Sequence, residues 1–117
     1  MKAYKVYEQD QMGYEDNIEY AKSYNKVIQL FNQKVKKTIS DIGGDIVDKY
    51  DFGEQIASFR KWNEGKEVIS RKYPYLLYKD KNLLVAQIFY WERTSYEYSE
   101  YDIVNSMIVL EGIEILE

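Results

Sequence analysis

The sequence predicts a single α+β domain over residues 1–117, with element order β-α-α-β-β-β and an antiparallel sheet carrying its helices on one face. Three observations lead there. The chain has 117 residues, about the length of one domain and enough to bury a core unaided. Apolar residues recur three or four apart in its first half, as on one face of a helix. After the only proline, Pro74, short apolar and aromatic runs alternate with turn residues, as in strands. No repeat, low-complexity tract or linker divides the chain.

Residues 2–8 alternate loosely around Ala3 and Val6 and predict a short first strand that ends before Gly13. From Asp16 the period changes. Tyr20, Tyr24, Val27, Ile28, Phe31 and Val35 share a helical stripe, and Asp16 with Glu19 three residues later reads as a capping box, so a helix is expected over 17–37. Gly43-Gly44 would each cost about 1 kcal/mol inside a helix and mark a break within 38–50. A second helix is expected from Asp51, burying Phe52, Ile56, Phe59 and Trp62, with Gly65 at or just past its end. Tyr75–Lys79, the turn Asp80-Lys81-Asn82 and Leu83–Arg93 read as a hairpin, and Ser106–Leu116 as the last strand.

The last two strands are apolar on both faces. Leu83, Val85, Phe89 and Trp91 oppose Leu84, Ala86, Ile88 and Tyr90; Met107, Val109, Ile113 and Ile115 oppose Ile108, Leu110 and Leu116. A sheet wetted on one side would show polar residues at alternate positions, so both faces need cover. With the helices on one face, the other falls to the 38–50 segment, to a second copy in a homodimer, or to a partner.

Composition narrows the chemistry more than any motif does. There is no Cys and no His, which removes disulfides, thiolate or imidazole metal sites, cysteine nucleophiles and histidine bases. Phosphate-loop, dinucleotide and nucleophile-elbow motifs are absent. Asp41, Asp45, Asp48 and Asp51 could offer oxygen ligands to Mg²⁺ or Ca²⁺, but the two glycines interrupt their spacing, and a solvated acidic turn is the simpler reading. Asp80, Lys81 and Glu92 could be imagined as a nuclease triad, as could such triples in any small charged protein. The expectation is a protein without catalytic residues, metal or cofactor. Lys5 and Glu8 interrupt any secretory core, and the longest strongly apolar stretch, Leu83–Trp91, falls well short of the roughly 20 residues that span a bilayer. A cytoplasmic location without membrane contact is expected.

The net charge of -4 is unevenly spread: residues 22–40 carry five lysines and no acid, whereas 82–117 is the most acidic block. Tyrosine is abundant, 13 in the chain, and in Tyr96-Glu97-Tyr98-Ser99-Glu100-Tyr101-Asp102 rings alternate with carboxylates, close to Tyr90-Trp91. High strand propensity and a biased genome explain tyrosine in bulk, and a solvated loop explains the charges but not the rings. Rings with few rotors and a polar tip are suited to binding, and the carboxylates call for a basic partner. The reading is a non-enzymatic protein-binding module that uses Tyr96, Glu97, Tyr98, Glu100, Tyr101 and Asp102. By analogy of class it would be an inhibitor or immunity-type protein, phage-encoded or carried on a mobile element, that blocks a basic nucleic-acid-handling protein. The alternative is nucleic-acid binding or regulation through Lys34, Lys36 and Lys37, with a second basic group at Arg60, Lys61, Lys66, Arg71 and Lys72; cations near a helix end also serve the macrodipole.

Overall fold

The computed structural model describes residues 2–10, 12–62, 65–95, 97 and 100–114, and the side chains of all of these except 60–62 and 114. Six strands, β1 (Lys2–Gln9), β2 (Glu15–Ala21), β3 (Glu67–Ser70), β4 (Tyr75–Asp80), β5 (Leu83–Ser95) and β6 (Glu100–Glu114), form one antiparallel sheet in the order β2-β1-β6-β5-β4-β3. Two helices, α1 (Tyr24–Ile42) and α2 (Lys49–Trp62), come between β2 and β3, joined through a single 3₁₀ turn at Gly43–Asp45. The α+β class and the β-α-α-β-β-β order hold, with β2 and β3 added as edge strands.

The 17–37 helix begins later than its pattern indicates. Asp16 and Glu19 belong to β2, where Asp16 Oδ1 accepts the Asn17 N–H at 2.8 Å and Asn17 takes a positive φ of 50°. The capping role falls to Ser23, whose Oγ accepts the Lys26 N–H at 3.4 Å. Only Val27, Phe31 and Val35 of the stripe are buried; Tyr20 and Tyr24 are exposed. β2 escapes a strand pattern because it is an edge with almost no buried residue, and such edges are charged in order to discourage further pairing. Gly43 ends α1 at φ 62°, ψ -124°, a conformation that favours glycine, and its N–H is donated to Ile39 C=O. Asp48 caps α2, accepting the Asp51 N–H at 2.8 Å, so the second helix opens just before Asp51.

The helices do not share a face. Val27, Phe31 and Val35 of α1 pack with Val6, Ala86, Ile88, Ile108 and Leu110, while Phe52 and Ile56 of α2 pack with Tyr7, Leu76, Tyr78, Val85, Phe89 and Val109 on the opposite side. The physical reason is the two-sided apolar character of β5 and β6: each face needs a helix. The chain changes face at Ile46-Val47, beside β5. Ile46 bridges to Tyr90, the Val47 N–H is donated to Phe89 C=O at 3.3 Å, and the Tyr73 hydroxyl is donated to Val47 C=O at 2.6 Å. Phe52 then meets Tyr73 and Phe89 edge-on, at ring separations of 5.5 and 6.2 Å. Cover for the second face therefore comes from the chain itself.

The hairpin forms as expected, and the last strand starts six residues earlier than its apolar run. As a result β5–β6 outgrows its neighbours: β1 pairs with β6 only from Met107 onward, and β4 pairs with β5 only up to Ile88. From Phe89 opposite Asn105 to Ser95 opposite Glu100 the two strands project as an arm, and the molecule measures 55 × 28 × 22 Å.

Two predictions concern this core. Burial holds the hydroxyls of Tyr7 and Tyr78 protonated to higher pH than an ordinary tyrosine, with Glu111 adding to the effect at Tyr7 and Asp80 at Tyr78. Because the folded state keeps these protons longer than the unfolded state, their stabilising contribution is intact below about pH 10 and falls as pH rises above it. Denaturation midpoints at pH 8 and 11, with tyrosinate absorbance, should show the loss. Gln87 Oε1 is buried without a hydrogen-bond partner among the described residues, so Gln87→Met should raise unfolding free energy by about 1–2 kcal/mol in urea titrations.

Candidate functional site

The arm carries what the sequence marks as a partner surface. Tyr101, Glu100 and Asp102 lie in β6 rather than in a loop, Glu97 is an exposed turn residue between the strands, and Tyr96 and Tyr98 lie outside the described residues. Within β6 the strand puts the Tyr101 ring on one face and the carboxylates of Glu100 and Asp102 on the other. Tyr101 stands opposite Arg93 on the face that also carries Trp91, and Asp102 stands opposite Glu92 on the other. Tyr101 and Trp91 are 53% and 36% exposed, unusual for large rings whose apolar bodies could be buried at no polar cost.

Where the arm leaves the globule, its base and the end of α1 enclose a recess of about 360 Å³. Tyr90, Trp91 and Tyr101 supply the rings and Asp41, Asp45 and Glu92 the carboxylates, with Ile42 and Arg93 completing the lining. The C-terminal end of α1 adds partial negative charge here, and no basic residue stands in its last turn. Arg93 Nε is donated to Ser95 C=O at 3.3 Å within the arm. Glu92 and Asp102 face each other as like charges across the strand pair, an arrangement that costs stability in the free protein and is relieved by a cation. Asp41 and Asp45 were legible in the sequence as acids but not as neighbours of the arm, since Gly43-Gly44 and the Ile46–Tyr90 bridge bring them there.

The other candidates separate. Lys34 lies under β2, with its Nζ 3.0 Å from Glu19 Oε1, and Lys37 approaches Asp41 at 4.0 Å; Lys36 is exposed. Much of the basic block of α1 is thereby engaged by acids of β2 and of α1 itself, which weakens its claim on phosphate. Asp80 and Lys81 lie at one end of β5 and Glu92 near the other, roughly 30 Å apart at strand rise, so they form no triad. Asp48 serves as the cap of α2, and among the described residues no three acidic side chains converge as metal ligands. Among the described residues no helix is long and apolar enough to cross a membrane.

Comparison of the chain with protein-family models, curated proteins and solved structures gives no significant match, so its functional reading rests on its own surface chemistry.

The opposed Glu92 and Asp102 generate a prediction. Asp102→Lys replaces repulsion by attraction across the pair and should raise the Tm of the isolated protein by about 2 °C in a thermal melt, more at low salt than at 0.5 M.

Proposed function

We propose that this protein is a non-enzymatic protein-binding module whose β5–β6 arm engages a basic surface, in the manner of an inhibitor or immunity-type protein acting on a nucleic-acid-handling partner. The observation that carries the reading is the recess at the base of the arm, which three rings and three acidic residues line, with Arg93, beside the negative end of a helix. A lysine or arginine entering it gains ion pairing and cation–π attraction together, and it offsets the charge of Glu92, which stands opposite Asp102. The arm supports such contact mechanically, since a paired ribbon loses little conformational freedom on binding. Acids set in this way can stand where phosphates would lie on a nucleic-acid-binding protein.

The test uses the intact protein and a defined cationic probe, a fluorescein-labelled octa-arginine peptide, followed by capture from host lysate treated with nuclease. Wild type should bind the peptide with strong salt dependence and retain one stoichiometric protein. The triple change Glu97→Lys, Glu100→Lys and Asp102→Lys should abolish both while the melting curve stays cooperative, and Trp91→Ala should weaken the peptide at least fivefold. The pair Asp45→Lys, Glu92→Lys, which reverses charge in the recess itself, should likewise abolish binding. Unaltered binding by this pair or by the triple variant would remove the proposal.

A further inference from the structure

The two ends of the molecule differ in chemistry. Opposite the arm, the α1 face of the sheet is only partly covered: Val27, Phe31 and Val35 of α1 sit against β1, β6 and β5, whereas Ile69 of β3 stays 47% exposed and Leu77 of β4 half-buried. The uncovered part is a groove of about 630 Å³, within the range of small-molecule sites. Leu77, Leu84, Leu110 and Gly112 form its floor. Tyr4 and Tyr24, edge to face at 5.5 Å, form one wall, and Ile69 the other.

Three lysines mark the end of this groove. Lys2 opens β1, Lys79 is the penultimate residue of β4 and Lys81 lies in the β4–β5 turn, all at the same end of the sheet. Asn82, beside them, fixes the turn by donating its side-chain N–H to Gly112 C=O at 3.1 Å. None of the residues lining the groove is acidic, and among the described residues no carboxylate lies within ion-pair distance of these lysines. Two acidic residues stand across from them in register, Glu67, outside the lining, from Lys79 in β3–β4 and Glu114 from Lys2 in β1–β6, which leaves Lys81 as the lysine with no acid opposite it. Gly112 matters to the floor: a Cβ placed there meets only the Tyr4 ring, at 3.9 Å, so the missing side chain leaves open volume and not a steric necessity.

We propose that this groove binds an anionic amphiphile, a medium- to long-chain fatty carboxylate, with its chain on the leucine floor and its head among Lys2, Lys79 and Lys81. Charge complementarity selects the anion, and the apolar floor selects the chain. The floor spans β6, β5 and β4, about 10 Å at ordinary strand spacing. The walls stand on β1 and β3, about 19 Å apart at ordinary strand spacing, so it is the lysines at the groove's end and not its breadth that select the anionic amphiphile over a partner helix. The site lies at the far end of β5 from the arm and does not depend on the reading of the arm.

Isothermal titration of the full chain with dodecanoate, below its micelle concentration, tests this against two probes of equal chain length, dodecanol and dodecyltrimethylammonium. Dodecanoate should bind one to one, at least tenfold tighter than either, and weaken several-fold on each two-carbon shortening. Gly112→Leu should abolish binding and the pair Lys79→Glu, Lys81→Glu should weaken it at least tenfold, both with cooperative melts. If Gly112→Leu does not fold, Ile69→Asp, at an exposed position, takes its place with the same expected loss. The Glu100→Lys, Asp102→Lys variant of the arm should bind dodecanoate as wild type does, which keeps the two readings separable. No heat with dodecanoate, equal affinity for the alcohol or the cation, or undiminished binding by the groove variants would overturn the proposal. So would self-association in light scattering that Gly112→Leu removes, because the occupant would then be a second copy.

Discussion

The structure depends on one constraint: β5 and β6 are apolar on both faces, and neither face can be left to water. A helix pair on one side would strand Val85, Phe89 and Val109 or else Ala86, Ile88 and Ile108. The chain must therefore deliver a helix to each side and cross the sheet edge between them. Pro74 lies at the crossing. Lacking an N–H, it cannot extend the β4 ladder beyond Tyr75, whose partner is Ile88, and the edge of β5 at Phe89 and Tyr90 is left for Ile46 and Val47. Gly43 turns the chain out of α1, and Phe52 anchors α2 on the far side against Tyr73 and Phe89.

The same pair of strands sets where the surface chemistry lies. Inside the globule β5–β6 is flanked by β1 and β4 and covered by helices; past Ile88 and Met107 it loses the flanking strands. Beyond Phe89 and Val104, the last residues buried there, it turns to Tyr90, Trp91, Glu92, Asp102, Tyr101 and Glu100 with Ile103 among them. A bare ribbon of aliphatic residues would aggregate, and carboxylates on a projecting edge oppose that as well as attract cations. At the other end a short turn joins β4 to β5, α1 begins only at Tyr24, and the floor of the α1 face lies open beside Lys2, Lys79 and Lys81. An acidic, aromatic arm and an open leucine-floored groove rimmed by lysines thus follow from one long hairpin whose cover is shorter than itself.

Local patterns made much of this legible. The β4–β5 hairpin, the break at Gly43-Gly44, the Phe52/Ile56 stripe and the need to cover two faces can all be read from spacing. β2 and β3 cannot: β2 is an exposed edge with a chance Asp-x-x-Glu inside it, and β3 is a four-residue edge strand interrupted by a bulge between Val68 and Ser70. Nor does the sequence say which helix takes which face, because that is decided by the crossing at Ile46-Val47, a long-range backbone pairing with no side-chain signature. Of the site, Glu100, Tyr101 and Asp102 were legible from composition. Trp91 and Tyr90 stood out as rings without a role, and Asp41 and Asp45 joined them only through the fold. The groove assembles five separate segments of chain, and no window of sequence contains it.

The perturbed protons of the described residues belong to the packing of the fold and not to its recesses. Where a site performs acid–base work, burial and charge act on a group that opens into a cleft. Here the tyrosines with raised proton affinity, Tyr7 and Tyr78, belong to the packed face under α2, and each already has a use for its hydroxyl: Tyr7 donates to Glu111 at 3.3 Å and Tyr78 to the Met107 sulfur at 3.8 Å. Lys5, whose proton is held by its hydrogen bond to Glu15, ties β1 to β2. None of the three lines the acidic recess or the basic groove. Asp51, the other group whose proton is held, stands in the first turn of α2, where partial burial and the neighbouring Asp48 raise its proton affinity. Among the described residues these shifts therefore belong to the packing of the sheet and the start of a helix, and they lie outside both the acidic recess and the lysine-rimmed groove.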